Sequence, residues 1–312
     1  MKRFLQITIG LFITMQAFGQ QDPMYSQYMF NMLAVNPAYA GSREVLSTTA
    51  LYRRQWVGIK GAPSTFTFSA DMPVKNKKIG LGINVTDDRL GIMHNTLVNI
   101  SYAYRIRINE KGILAMGLQG VVNQYKADYA SVDPSQNSSY RADAAFASNV
   151  SRFFPNVGAG LWYSTDRFYA GIAVPKLIKN KLTDFDMAMD LSSYKDRQSR
   201  HFFITAGYVF PLNDVMKLKP SALLKMVHGS PIELDVNANL WFHDRVSVGL
   251  SYRTGDSMDV LLEFQATPQF RFGYAYDYTL TRLQNFNSGS HEIMVRYEFG
   301  FDKGKILSPR YF

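Results

Sequence analysis

Along most of its length the chain alternates apolar and polar side chains with a period of two, and no other feature constrains its fold so tightly. In PIELDVNANLWFH, Ile232, Leu234, Val236, Ala238, Leu240 and Phe242 share one face, and Glu233, Asp235, Asn237, Asn239 and Trp241 the other. STFTFSADM sets Phe66, Phe68, Ala70 and Met72 against Thr65, Thr67, Ser69 and Asp71. KIGLGINVT sets Ile79, Leu81, Ile83 and Val85 against Gly80, Gly82, Asn84 and Thr86. FRFGYAYDYTL sets Phe270, Phe272, Tyr274, Tyr276 and Tyr278 against Arg271, Gly273, Ala275, Asp277 and Thr279. A slip of one residue would exchange the two faces completely.

Such runs cover 44–56, 63–73, 78–87, 95–108, 112–125, 154–164, 166–174, 200–212, 216–227, 231–242, 245–254, 257–267, 270–280 and 290–301, which predicts about fourteen strands. Most reach the roughly nine residues that a tilted strand needs to cross hydrocarbon, whereas strands of soluble proteins average about 5 to 6. Lipid offers no partner to an unpaired backbone group, so a sheet that crosses it must close on itself. The expected fold is therefore an all-β, antiparallel transmembrane barrel of the outer-membrane type, apolar face outward, with a short helical segment before the first strand. Reversed faces would put Arg271, Asp277, Glu233 and Asp235 into lipid; a basic residue at the midplane costs about 2 to 4 kcal/mol. Connector lengths agree. The long ones, 126–153 and 175–199, fall in the odd class with 57–62, 88–94, 228–230, 255–256 and 281–289, while 74–77, 109–111, 165, 213–215, 243–244 and 268–269 are short. Barrels of this type keep short turns in the periplasm, so the odd connectors are expected outside and both termini in the periplasm. Tyr52-Arg53-Arg54-Gln55-Trp56 breaks the alternation of the first strand, which predicts a bulge or an interface there.

Residues 1–19 read as a signal peptide: Lys2 and Arg3, an apolar run from Ile7 to Met15, then Ala17-Phe18-Gly19. The remaining organisation is an N-terminal periplasmic or plug segment over 20–43, the barrel over 44–301 and a tail over 302–312. No cysteine occurs, which excludes disulfides, thiol catalysis and thiolate metal sites. The formal charge of +9, or +7 once Lys2 and Arg3 leave with the leader, is scattered, so no nucleic-acid partner is expected. QDPMYSQYMFNMLAVNPAYAG, from Gln21 to Gly41, stands apart, being apolar and charged only at Asp22. Asp22 is placed to cap a helix whose first position suits Pro23; Tyr25, Tyr28, Met29, Met32 and Val35 recur at helical spacing, and Asn36 before Pro37 stops it. So short a helix needs a surface. The expected one is the barrel's own periplasmic end or lumen, with a partner protein as the functional alternative.

No catalytic constellation stands out, and no enzyme, cofactor or metal is expected. His94, His201, His228, His243 and His291 fall at strand ends or turns, where a solvated imidazole is the plain reading. HEIMV lacks the second histidine and the helix of a zinc motif. The glycines of GLGIN, GAGLW and MGLQG miss the phosphate-loop spacings and fit a crowded lumen. Asp184, Asp186 and Asp190 lack the glycine and glutamate of a calcium loop. A membrane-embedded hydrolase would need a serine nucleophile that nothing singles out.

QDPMYSQYMFNMLAVNPAYAGSR, YRRQWVGIKGAPSTFTFSADMP, KKIGLGINVTDDRLG and the ending SPRYF together resemble the PorP/SprF family of outer-membrane proteins. The resemblance implies a non-enzymatic barrel of the type IX secretion system of Gram-negative, often gliding, bacteria. It further implies outer-membrane lipid as surroundings, and as partners a secreted or surface adhesin with a C-terminal sorting domain and the periplasmic secretion machinery. Partner-binding or plug candidates are Asp22, Pro23, Tyr25, Gln27, Tyr28, Asn36, Pro37 and Tyr39 in the first motif, with Arg53, Arg54 and Trp56 in the second. The alternative is an outer-membrane channel or transporter for a hydrophobic or small solute, with an N-terminal plug. A closed barrel resists detergent until boiled, so the unheated chain should migrate faster than the boiled one on a denaturing gel; identical migration would reject the barrel.

Overall fold

The computed structural model describes residues 24–74, 76–131, 149–180, 199–227 and 230–300. The expected signal peptide, Asp22, Pro23, His228, Asp184, Asp186, Asp190 and the tail over 302–312 lie outside them.

The alternating runs form strands β1 (Leu46–Arg54), β2 (Ser64–Val74), β3 (Ile79–Leu90), β4 (Met93–Arg107), β5 (Ile113–Ala127), β6 (Val150–Ser164), β7 (Phe168–Val174), β8 (His201–Tyr208), β9 (Phe210–Pro211), β10 (Met216–Val227), β11 (Glu233–Phe242), β12 (Val246–Arg253), β13 (Ser257–Gln265), β14 (Phe270–Thr279) and β15 (Ser290–Phe299). Both β8 and β9 pair antiparallel with β10, so they are two pieces of one stave, interrupted at Val209. The described sheet thus has fourteen staves, each antiparallel to its neighbour in sequence. β1 closes the ring against β15, from Leu46 opposite Phe299 to Arg54 opposite His291. No described helix is long and apolar enough to cross a membrane; the crossing is made by strands.

The faces separate as the alternation requires. Phe66, Phe68, Ile100, Leu118, Val236, Leu250, Phe272 and Ile293 point outward and are exposed, whereas Thr67, Ser69, Asn84, Ser101, Asn237, Ser251 and Glu292 point inward and are buried. Aromatic side chains gather where the outer face nears the short-turn end: Phe270 lies 4.9 Å from Tyr297, Tyr208 4.5 Å from Phe210, and Tyr297 4.5 Å from Phe299. Amphipathic rings favour the membrane–water boundary.

Several boundaries differ from the sequence pattern, two of them with a local cause. β3 and β4 run on to a tight turn at Gly91 and Ile92, where Gly91 takes φ +58°, instead of the expected connector 88–94. β1 alternates cleanly to Arg54 with no bulge. It ends there because Gln55 and Trp56 leave the ladder, Trp56 in the left-handed region at φ +46° with its N–H on Ser290 Oγ. The strand ends joined by the connectors 128–149 and 175–200 lie at the end where β1 finishes, the long-connector end. Among the described residues the other end carries only short turns.

Leu250, 64% exposed near the middle of β12, should tolerate no cation. Leu250→Arg should lower stability by about 2 to 4 kcal/mol in bilayer refolding titrations. Ser251→Ala, one residue along and inward, should leave the transition nearly unchanged.

Candidate functional site: the filled lumen

The lumen is occupied by the chain's own N-terminal segment. From Tyr25 to Gly41 every residue except Ala34 is buried. The segment is not the continuous helix that its spacing predicts. It forms three short 3-10 turns, Tyr28–Phe30, Met32–Ala34 and Pro37–Tyr39, separated at Asn31 and Asn36. The physical reason is that the segment has no solvent face. An amphipathic helix sorts its residues between two environments, whereas here both sides meet the barrel wall, and local hydrogen bonds give way to wall contacts. Asn36 shows the trade. It is extended, its Oδ1 accepts from Ala38 N at 2.9 Å, and its Nδ2 donates to Leu161 O at 2.9 Å on the wall.

Polar wall groups hold the segment at successive levels. Near the long-connector end, Glu292 accepts both the Ser26 and the Gln27 backbone N–H at 2.9 Å, and Ser26 Oγ donates to Asp277 Oδ2 at 2.7 Å. Arg53 lies between these two acids, its Nη1 2.6 Å from Asp277 and 3.2 Å from Glu292. Lower down, Tyr25 OH lies 2.6 Å from Thr67 Oγ1, Asn237 donates to Tyr28 OH at 2.8 Å, and Ser69 donates to Asn31 Oδ1 at 2.9 Å. Tyr39 meets Trp162 edge-on at 5.2 Å, and Trp162 stacks on Tyr169 at 4.9 Å. Where the segment leaves to join β1, Gly41 N donates to Asp71 at 2.8 Å, Arg43 pairs with Glu298, and Glu44 receives Lys77 at 2.9 Å. Burying Tyr28, Met29, Phe30, Met32 and Leu33 contributes roughly 1.5 to 3 kcal/mol each as an upper bound.

Glycines make the room. A Cβ on Gly80 would stand 1.9 Å from Ala40 O, one on Gly117 2.2 Å from Ala38 N, and one on Gly160 2.1 Å from Asn36 Oδ1. These are the glycines of GLGIN, MGLQG and GAGLW; Gly80 and Gly117 admit the backbone of the segment and Gly160 the Asn36 side chain, and each close approach requires the missing side chain.

The candidate residues therefore divide. Tyr25, Gln27, Tyr28, Asn36, Pro37, Tyr39 and Arg53 meet in the lumen, all buried. Arg54 points outward from the next position of β1, and Trp56 sits in the first connector. Glu292, Asp277, Asp71 and Glu298 were not candidates. Only their inward parity marked them, and parity does not say what they face. Of the histidines, His201 is buried, against the expectation of a solvated ring, because its strand parity turns it inward. His291 points outward to Tyr274 OH at 2.7 Å while Glu292 points inward, so HEIMV cannot assemble one site. Within the described chain, Ser26 lies at the long-connector end and β15 runs out at the short-turn end.

A comparison with family models matches residues 17–297 to "Type IX secretion system membrane protein PorP/SprF". The chain belongs to the PorP/SprF family. It is thus an outer-membrane β-barrel of type IX secretion. No curated protein matches this PorP/SprF barrel. Similar solved structures include the CymD monoaromatic hydrocarbon channel, 12% identical over 90% of this chain and 95% of that one at a TM-score of 0.47. A Pseudomonas aeruginosa FadL homologue is 13% identical over 91% and 96% at 0.43. The Acinetobacter baumannii outer membrane protein Omp33 is 10% identical over 81% and 96% at 0.43.

If the segment seals the lumen, removing residues 24–40 from the PorP/SprF barrel should raise single-channel conductance in planar bilayers well above that of the full chain. Gly80→Val should raise it partway while the barrel stays heat-modifiable. Equal conductance in all three proteins would show that the segment does not close the pore.

Proposed function

We propose that this protein is a non-enzymatic anchoring barrel of type IX secretion, which supports the export or surface attachment of a partner protein such as a large adhesin with a C-terminal sorting domain. The observation that carries the reading is the filled lumen. A path blocked by seventeen or so residues of the chain's own backbone, hydrogen-bonded to the wall at several levels, is unsuited to pass a polypeptide, so the work falls to the two ends. On this reading the connectors 128–149 and 175–200 face outward and hold the exported protein, and the short-turn end faces the periplasmic machinery. The connector asymmetry supports that orientation, since barrels of this type keep short turns inside. Gliding motility would follow where the anchored adhesin is the one that moves the cell.

Deleting the gene and comparing surface and medium proteins tests the proposal. The expected result is loss of one or a few sorting-domain proteins from the surface, with their appearance in the medium or retention in the periplasm. Restoration by the full chain but not by one shortened across 132–148 and 181–198 would locate the partner surface. If every sorting-domain protein keeps its place in the mutant and the purified barrel transports a small solute, the channel reading replaces this one.

A further inference from the structure

The wall of the lumen near the long-connector end holds more carboxyl groups than guanidiniums to pair them. Asp235, Asp259, Asp277 and Glu292 are all buried there, and the buried guanidiniums that face them belong to Arg53 and Arg253, which leaves two carboxyl groups in excess. The neighbouring rim does not relieve it: Lys225 lies 3.8 Å from Glu233, and Asp256 adds another carboxylate 3.3 Å from Arg253. Both guanidiniums have other partners. Arg253 gives Nε to Asp235 at 2.9 Å, Nη1 to Asp256 and Nη2 to Tyr25 O at 3.4 Å. Arg53 donates Nη1 to Ser26 and Glu292 and pairs with Asp277 Oδ2 at 2.6 Å, while its Nε is buried without a hydrogen-bond partner among the described residues.

Asp259 is the residue left over. It is 1% exposed, and neither of its carboxylate oxygens has a hydrogen-bond partner among the described residues. Directly across the ladder stands Asp277, whose Oδ1 is likewise buried without a partner. On the same inward face, two positions back along β13, the Ser257 hydroxyl lies beside Asp259, buried and short of a well-formed hydrogen bond. Like charges directly opposite on one sheet face repel, with Cβ atoms about 4.5 to 5.5 Å apart, and a buried carboxylate without compensation is costly.

We propose that Asp259, Asp277 and Ser257 hold a hard divalent cation, calcium by chemistry, in the wall of the lumen. Both Asp259 oxygens, Asp277 Oδ1 and Ser257 Oγ supply oxygen donors without nitrogen or sulfur, which suits calcium, and water completes its six to eight ligands. Two positive charges match the excess. Only two carboxylates take part; among the described residues no three of His, Cys, Asp and Glu are grouped as metal ligands. The site also bears on the plug. Asp277 presents Oδ1 to the cation and Oδ2 to Ser26 and Arg53, so the cation would steady the carboxylate that seats the start of the segment. The proposal is independent of the secretion role.

The test uses the full chain refolded in detergent without lipopolysaccharide, which itself binds calcium. Calcium should raise the temperature at which the barrel loses heat-modifiable migration, relative to a chelator, and should displace terbium followed by tyrosine-sensitised luminescence. Asp259→Asn should fold, keep its heat-modifiable migration and lose calcium affinity about tenfold or more. A triple Asp184→Asn, Asp186→Asn, Asp190→Asn variant should keep the response. The proposal is overturned if Asp259→Asn responds to calcium as the parent does or if the triple variant abolishes the response. It is equally overturned if the parent binds neither ion and its transition moves with pH alone, which would mean that Asp259 and Asp277 share a proton. Should Asp259→Asn not fold, Ser257→Ala takes its place in the same comparison.

Discussion

Everything in this molecule rests on the obligation to pair every backbone N–H and C=O that lies in lipid. The ladder meets it by closing on itself through β1 and β15, and closure creates an inside. An inside of fourteen staves cannot be filled by wall side chains alone, as the smallest barrels are. Here a second piece of backbone enters it. That piece brings its own obligation, and it is met by the inward face of the same strands: carboxylates for N–H groups at Ser26, Gln27 and Gly41, carbonyls for the Asn36 amide.

The division of labour between wall and plug follows from charge. From Met24 to Ser42 the segment carries no Asp, Glu, Lys, Arg or His, while the wall around it holds Arg53, Arg253, Asp235, Asp277, Glu292, Asp71, Arg271 and Glu263. Charges on the wall can pair along the ladder before the segment arrives, as Asp235 does with Arg253 across β11 and β12. A neutral segment then adds apolar surface and hydrogen bonds without having to desolvate charges of its own. The glycines opposite Ala38 and Ala40 let the two backbones approach closely enough for that surface to count.

A filled lumen and unequal ends suit a protein that holds its partner at a surface. The same arrangement explains why so few groups look catalytic. The buried polar side chains are arranged to satisfy a tethered segment, and Glu292 spends both oxygens on it.

The sequence by itself determined the strands, their number, which face meets lipid and the absence of cysteine chemistry, because alternation of period two reports a local property that each residue obeys wherever its neighbours lie. It also marked 21–41 as a segment in need of a surface, and the glycines of GLGIN, MGLQG and GAGLW as places of crowding. Only the tertiary structure decided that these two signals are the same event, that the segment is three turns instead of a helix, and that Ser26 faces Asp277 and Glu292. Parity shows that a side chain points inward but not what it meets there. Pairings across a lumen join residues some 250 positions apart, and they exist only once the ring has closed.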